Sequence, residues 1–131
     1  MPFARLTLTP APEPESAQRL ATELTTLIAD KLDKQRDLTS VLVESPAAHC
    51  WTIGAHPTTT AAHLEVFVTL GTNTEEQKKE FIAHAMRLLR TFPFDLPATT
   101  YVVIQELPAI NWGYDGRTQA DRARQRLLEQ A

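Results

Sequence analysis

Along the first strand Phe3, Arg5 and Thr7 alternate with Ala4, Leu6 and Leu8, the period-two pattern of a strand with two different faces. Pro10, Pro12 and Pro14 close it, because each fixes φ and lacks a backbone donor. Ser16 then suits a helix N-cap, and Leu20, Leu24, Leu27, Ile28 and Leu32 follow at three- and four-residue spacing as one apolar stripe. Residues 33–37 form a polar exit from that helix. Val41-Leu42-Val43 reads as a second strand, stopped by Pro46. From Ala47 to Ala62 the pattern fades into a loop with Gly54 and Pro57, in which Trp51-Thr52-Ile53 can pair briefly as a hairpin.

The same order then recurs. Leu64 to Leu70 is a third strand, ended at Gly71. Thr74-Glu75-Glu76-Gln77 has the spacing of a capping box and opens a second helix. Its apolar positions Phe81, Ile82, Ala85, Leu88, Leu89 and Phe92 hold helical spacing until Pro93. Tyr101 to Ile104 predicts a fourth strand, residues 111–117 are rich in turn formers, and Thr118 to Gln130 predicts a short charged terminal helix.

Pro46 and Pro108 stand 62 positions apart, and at that offset Glu44 matches Glu106, Ala47 matches Ala109 and Gly54 matches Gly116. Leu6-Thr7-Leu8 matches Val68-Thr69-Leu70 in the same way. The pattern predicts an α/β (α+β) fold of two tandem βαβ units within one domain, residues 1–131, with halves 1–62 and 63–131. Each helix crosses over between two parallel strands. The units then pair into one four-stranded sheet with both helices on one face. The other face is left bare, which predicts cover by further copies of the chain in a closed symmetric oligomer.

Composition narrows the function. Apolar residues make up 43% of the 131 and charged ones 22%, the balance of a soluble globular domain. A net charge of −3 without a Lys/Arg run speaks against a nucleic-acid binder. No apolar run approaches the roughly 20 residues of a membrane span, and no signal-peptide pattern opens the sequence. The lone cysteine, Cys50, forbids an internal disulfide, so a reducing cytoplasm is expected and Cys50 reads as a small core or interface filler. His49, His56, His63 and His84 lack metal-ligand spacing, and no phosphate-cradling glycine motif or Ser/His/Asp arrangement is present. The expectation is chemistry without a metal or cofactor.

The candidate for that chemistry is Pro2. Met1 precedes a small residue, so its removal is expected, leaving a secondary amine aimed by the strand behind it. An α-amino group titrates at about 7.7–8.0, and burial or a nearby cation lowers that value. Such a nitrogen can serve as a general base near neutral pH, or as a nucleophile toward carbonyls. Proline after methionine is common, and on those residues alone the plain reading is a proline without a role.

A fused pair of βαβ units behind such a proline resembles the tautomerase superfamily. The segment Glu106-Leu107-Pro108-Ala109-Ile110-Asn111-Trp112-Gly113-Tyr114-Asp115-Gly116 is similar to the closing strand and hairpin of 4-oxalocrotonate tautomerase-type units. The double length, the Thr74-to-Lys79 helix start and the Pro-Ala-x-x-Trp-Gly segment look more like the malonate semialdehyde decarboxylase branch. The resemblance implies a homotrimer, a small-molecule keto-enol substrate of 2-oxo acid type, and Pro2 as general acid/base. It implies that Trp112 walls the site, with interface packing as the other reading. Asp37 lies near the place of the decarboxylase branch's aspartate, so a decarboxylase or hydratase is the alternative, and a non-catalytic oligomer the third.

Members acting on carboxylates carry arginines after the first or third strand, or on the second strand of a unit. Here those places hold Thr9 to Pro12, Leu70 to Asn73, and Tyr101, the last kept as a candidate substrate contact. The substrate is therefore expected to be less anionic than a dicarboxylate. Arg5, beside Phe3 and Thr7, and Arg117, after the Trp112 hairpin, are the candidate cations.

Overall fold

The computed structural model describes residues 1–47 and 49–131. Strand β1 (Phe3–Thr9) leads through helix α1 (Pro14–Leu32) and a short 3-10 turn at Arg36–Leu38 to strand β2 (Ser40–Glu44). A small hairpin follows, β3 (Thr52–Ile53) with β4 (His56–Pro57). The second unit runs β5 (Ala61–Thr69), α2 (Glu75–Leu89), β6 (Tyr101–Leu107), then the hairpin β7 (Gly113–Tyr114) with β8 (Arg117–Thr118). Helix α3 (Gln119–Gln130) ends the chain.

The main sheet has four strands in the order β2-β1-β5-β6. Strands β1 and β2 are parallel, as are β5 and β6, while β1 and β5 pair antiparallel. Two strand–helix–strand units therefore share one four-stranded sheet, as the repeated pattern predicts, and they meet along a central antiparallel seam.

Strand alternation sorts the residues onto two faces. Ala4, Leu6, Leu8, Leu64, Val66 and Val68 are fully buried, and they pack with Leu20, Leu24, Ile28 and Leu32 of α1 and Phe81, Ala85 and Leu89 of α2. The opposite face carries Phe3, Arg5 and Thr7 beside Phe67, Glu65 and His63, their direct cross-strand partners. It is part apolar and part charged: Phe3 and Phe67 lie 6.1 Å apart between ring centroids, and Arg5 pairs with Glu44 at 3.3 Å.

Several local details differ from the pattern. Helix α1 starts at Pro14 rather than near Ser16, with Glu13 at the N-cap and no side-chain cap bond. Proline at the first helical position forfeits nothing, because its missing N–H would have no intrahelical partner. Ile82 is 41% exposed, and α2 stops at Leu89, yet Phe92 beyond it is still buried. Cys50 is exposed and so is not a core filler.

The two hairpins coincide at an offset of one residue fewer than the matching glycines imply. The register Thr52↔Pro57 corresponds to Gly113↔Thr118, so Trp51 takes the place of Trp112. Both turns have positive φ at two successive residues, Gly54 (59°) and Ala55 (67°), then Asp115 (52°) and Gly116 (77°). A two-residue hairpin turn of this kind favours glycine at either central position, and the two units place it differently. Gly113 answers to close approach instead: a Cβ there would lie 1.9 Å from the carbonyl oxygen of Arg117.

The Thr74 hydroxyl accepts from the Gln77 backbone N–H, and the Gln77 side chain accepts in return from Thr74 N–H, closing the expected capping box. Thr74→Ala is expected to cost about 1 kcal/mol, against about 3–5 kcal/mol for the core truncation Phe81→Ala, both read by urea unfolding. Equal losses would contradict this division between cap and core.

Candidate functional site

Pro2 is fully buried at the head of β1, and its carbonyl accepts the Ser40 N–H at 3.2 Å. Met1, one residue before it, is half-exposed and lines a cavity of about 400 Å³. The antiparallel seam decides what surrounds that cavity. Because Phe3 pairs with Phe67, the last residues of β5 and the loop beyond it come alongside the start of β1. Thr69 and Thr72 therefore line the same cavity as Met1.

The end of α1 forms the next wall. Asp33 turns left-handed at the C-cap (φ 53°), and its backbone N–H and that of Lys34 both bond to the Ala29 carbonyl. This turn leads Lys34 into the cavity, where its ammonium donates to Thr72 Oγ1 at 2.8 Å. Asn73 ties the corner together by donating to the Leu32 carbonyl at 2.8 Å and to Gln77 Oε1 at 3.0 Å. The remaining wall is Tyr114 of the second hairpin with Gln119, Ala123 and Arg126 of α3. Helix α3 is seated by backbone bonds from Gln119 N–H to Trp112 O (2.9 Å) and from Ala120 N–H to Ala109 O (3.0 Å). Arg122 stacks over the Tyr114 ring at 3.7 Å and donates to the Tyr114 carbonyl at 3.0 Å.

The electrostatics follow from this enclosure. Burial, and after it the charges of Lys34 and Arg126, hold the Met1 ammonium below the ordinary α-amino range. Burial lowers Lys34 as well, with the carboxylates of Asp33 and Glu106 pulling the other way. Glu106 is itself engaged by Lys78 at 2.6 Å. An amine placed here meets two cations and is partly shielded from water, conditions that favour its neutral, proton-accepting form.

The residues singled out in the sequence do not all gather. Trp112 stands behind the wall: its Nε1–H donates to Thr69 Oγ1 at 3.1 Å, and its ring faces a shallower recess shared with Arg117. Tyr101 begins β6 opposite His63, at the far end of the sheet from Pro2, and is 65% exposed. Asp37 sits exposed in the turn before β2, and only its neighbours Gln35 and Leu38 reach the cavity. Arg5 points to the open face, held by Glu44. The cations that do line the cavity, Lys34 and Arg126, lie in stretches that read as a polar helix exit and a charged terminal helix. Among the described residues no group of three metal-ligating side chains occurs, and no helix is long and apolar enough to cross a membrane.

No family model matches the chain. Over 52 residues, 40% of this chain and 78% of the relative, it is 42% identical to the probable tautomerase K2 of Dickeya dadantii (strain 3937). Among solved structures, native fused 4-OT superposes with a TM-score of 0.81 at 21% identity, covering 92% of this chain and 98% of that one. Pt0534 inactivated by 2-oxo-3-pentynoate gives 0.82 at 15% identity, with the same coverage of 92% and 98%. The macrophage migration inhibitory factor-like protein of Entamoeba histolytica gives 0.75 at 18% identity, covering 89% and 97%. At these identities the structural matches establish the shared fold.

Asn73→Ala removes the tie between the α1 terminus and the β5–α2 loop. Stability is expected to fall by about 1–2 kcal/mol, with faster amide exchange concentrated at residues 33–35. Exchange rates there equal to those of the parent protein would contradict the part given to Asn73.

Proposed function

This chain belongs to the tautomerase family of isomerases, and we propose that it is a cofactor-independent tautomerase whose acid/base is the amine of Pro2, freed by removal of Met1. The observation that carries this reading is the chain's first residue opening into a cation-lined cavity, where burial and charge depress an amine's pKa. With Met1 present the Pro2 nitrogen is a tertiary amide and has no basic lone pair. Without it, the secondary amine stands directly before β1, next to the position from which Met1 lines the cavity.

The proposed substrate is a small 2-oxo acid in equilibrium with its enol. In ketonisation the enol O–H bond breaks and a C–H bond forms at the adjacent carbon as the C=C electrons move and C=O is made. The amine accepts the hydroxyl proton and delivers a proton to carbon, so it ends as it began. A lowered pKa suits this exchange, since the group must both take and release a proton near neutrality.

We also read the open sheet face as the contact surface of a homotrimer. Phe3, Phe67 and the exposed Leu42 and Tyr101 give it apolar area, and relatives of the same fold include fused 4-OT trimers. Equilibrium sedimentation is expected to give three times the 14.7 kDa chain mass.

Pro2→Ala is expected to lower kcat/KM for phenylpyruvate ketonisation by about 10²–10⁴, in protein whose intact mass shows Met1 absent. Full activity in the variant, or in protein that retains Met1, would overturn the role given to Pro2.

A further inference from the structure

Among the described residues two buried side-chain nitrogens lack a hydrogen-bond partner, Arg122 Nε, whose guanidinium is otherwise engaged by Tyr114, and Gln119 Nε2. Gln119 is the first residue of α3, and only 7% of it is exposed. Buried amide donors are ordinarily paired, because a lost bond to water must be replaced. Its backbone N–H is committed to Trp112 O, which fixes where the side chain starts, and the side chain lines the Met1 cavity.

Two cations line the same space. Among the described residues the Lys34 ammonium donates only to the Thr72 hydroxyl, and neither Lys34 nor Arg126 forms an ion pair. The one carboxylate on the wall is Asp33. Arg122, the other nearby arginine, is taken by the Tyr114 ring and carbonyl. The cavity therefore offers an amide donor, an ammonium and a guanidinium against a single acid, next to the apolar surfaces of Leu38, Tyr114 and Ala123. A donor set of this kind is complementary to a carboxylate carried on a compact apolar body.

We propose that Lys34, Gln119 and Arg126 form the carboxylate-binding end of this cavity, so that α3, outside both βαβ units, selects monoanionic acids. The proposal rests on the tautomerase reading of the same site. It replaces the cations missing from the strand positions with one at the end of α1 and one on α3.

Binding of an inert probe separates this claim from catalysis. 3-Phenylpropanoate and its neutral amide, neither an enolisable 2-oxo acid, are titrated by calorimetry into the full mature protein. Lys34→Gln and Arg126→Gln are each expected to weaken the carboxylate by about tenfold or more, and Gln119→Leu by about threefold or more, while the amide changes by less than about twofold. Lys34→Arg and Arg126→Lys are expected to restore most of the loss, which excludes misfolding as its cause. Equal weakening of both probes, an unchanged carboxylate affinity, or no preference for the acid in the parent protein would overturn the proposal. If carboxylate selectivity holds while phenylpyruvate ketonisation is absent, the tautomerase reading fails and the binding assignment stands. Ketonisation with no selectivity gives the reverse.

Discussion

The antiparallel pairing of β1 with β5 is the constraint on which the rest depends. Each βαβ unit alone has one apolar sheet face and one helix, too little to enclose a core. Joined along Leu6↔Leu64, the four strands present one continuous apolar surface to α1 and α2 together. The same register fixes Phe3 opposite Phe67 and so brings the far end of the second unit to the first residues of the chain. Core and cavity come from one set of backbone hydrogen bonds. A slip of one residue would put Leu6 and Leu64 on opposite faces of the sheet and turn one strand's apolar set outward.

Around that end the structure spends its polar contacts on holding cations near an amine. Asn73 fixes the α1 terminus, Thr72 holds the Lys34 ammonium, and the Arg122–Tyr114 stack seats α3 with Gln119 buried and the exposed Arg126 at the cavity rim. Two positive charges beside a third are unfavourable in the fold alone. The carboxylates of Asp33 and Glu106 offset part of this at Lys34, and in the proposed reading a bound anion offsets more. Helix α3 matters here out of proportion to its burial: most of its residues are exposed, and Gln119 is its one buried residue.

Much of the fold was legible because its signals are local. Period-two alternation in β1 and β5, the leucine stripe of α1 and the Thr74 capping box each report directly on backbone geometry. The duplicated order gave the topology, and the family came from the resemblance carried by Pro2 and the segment from Glu106 to Gly116. The hairpin offset was off by one, since glycine can occupy either turn position, and the equivalence of Trp51 with Trp112 was missed for that reason. The site was less legible. Pro2 stands out by its chemistry and position, but Lys34 sits in a run of polar residues and Arg126 among several charges of α3. Neither has a spacing that marks it. They become neighbours only through the seam and the Asp33 turn, which are tertiary facts. Tyr101 is also placed by tertiary pairing: the antiparallel seam puts the start of β6 at the other end of the sheet from Pro2 of the same chain.

The central claim is that burial and the charges of Lys34 and Arg126, which lower the Met1 ammonium, also lower the amine of Pro2 once Met1 is removed. Titration of the ¹⁵N signal of labelled, Met1-free protein measures this without reference to any substrate. The account predicts a midpoint below the ordinary α-amino range of about 7.7–8.0. It predicts an upward move in Lys34→Gln and in Arg126→Gln, because removing a neighbouring cation relieves repulsion of the ammonium form. A midpoint within or above the ordinary range, unmoved by either substitution, would contradict it.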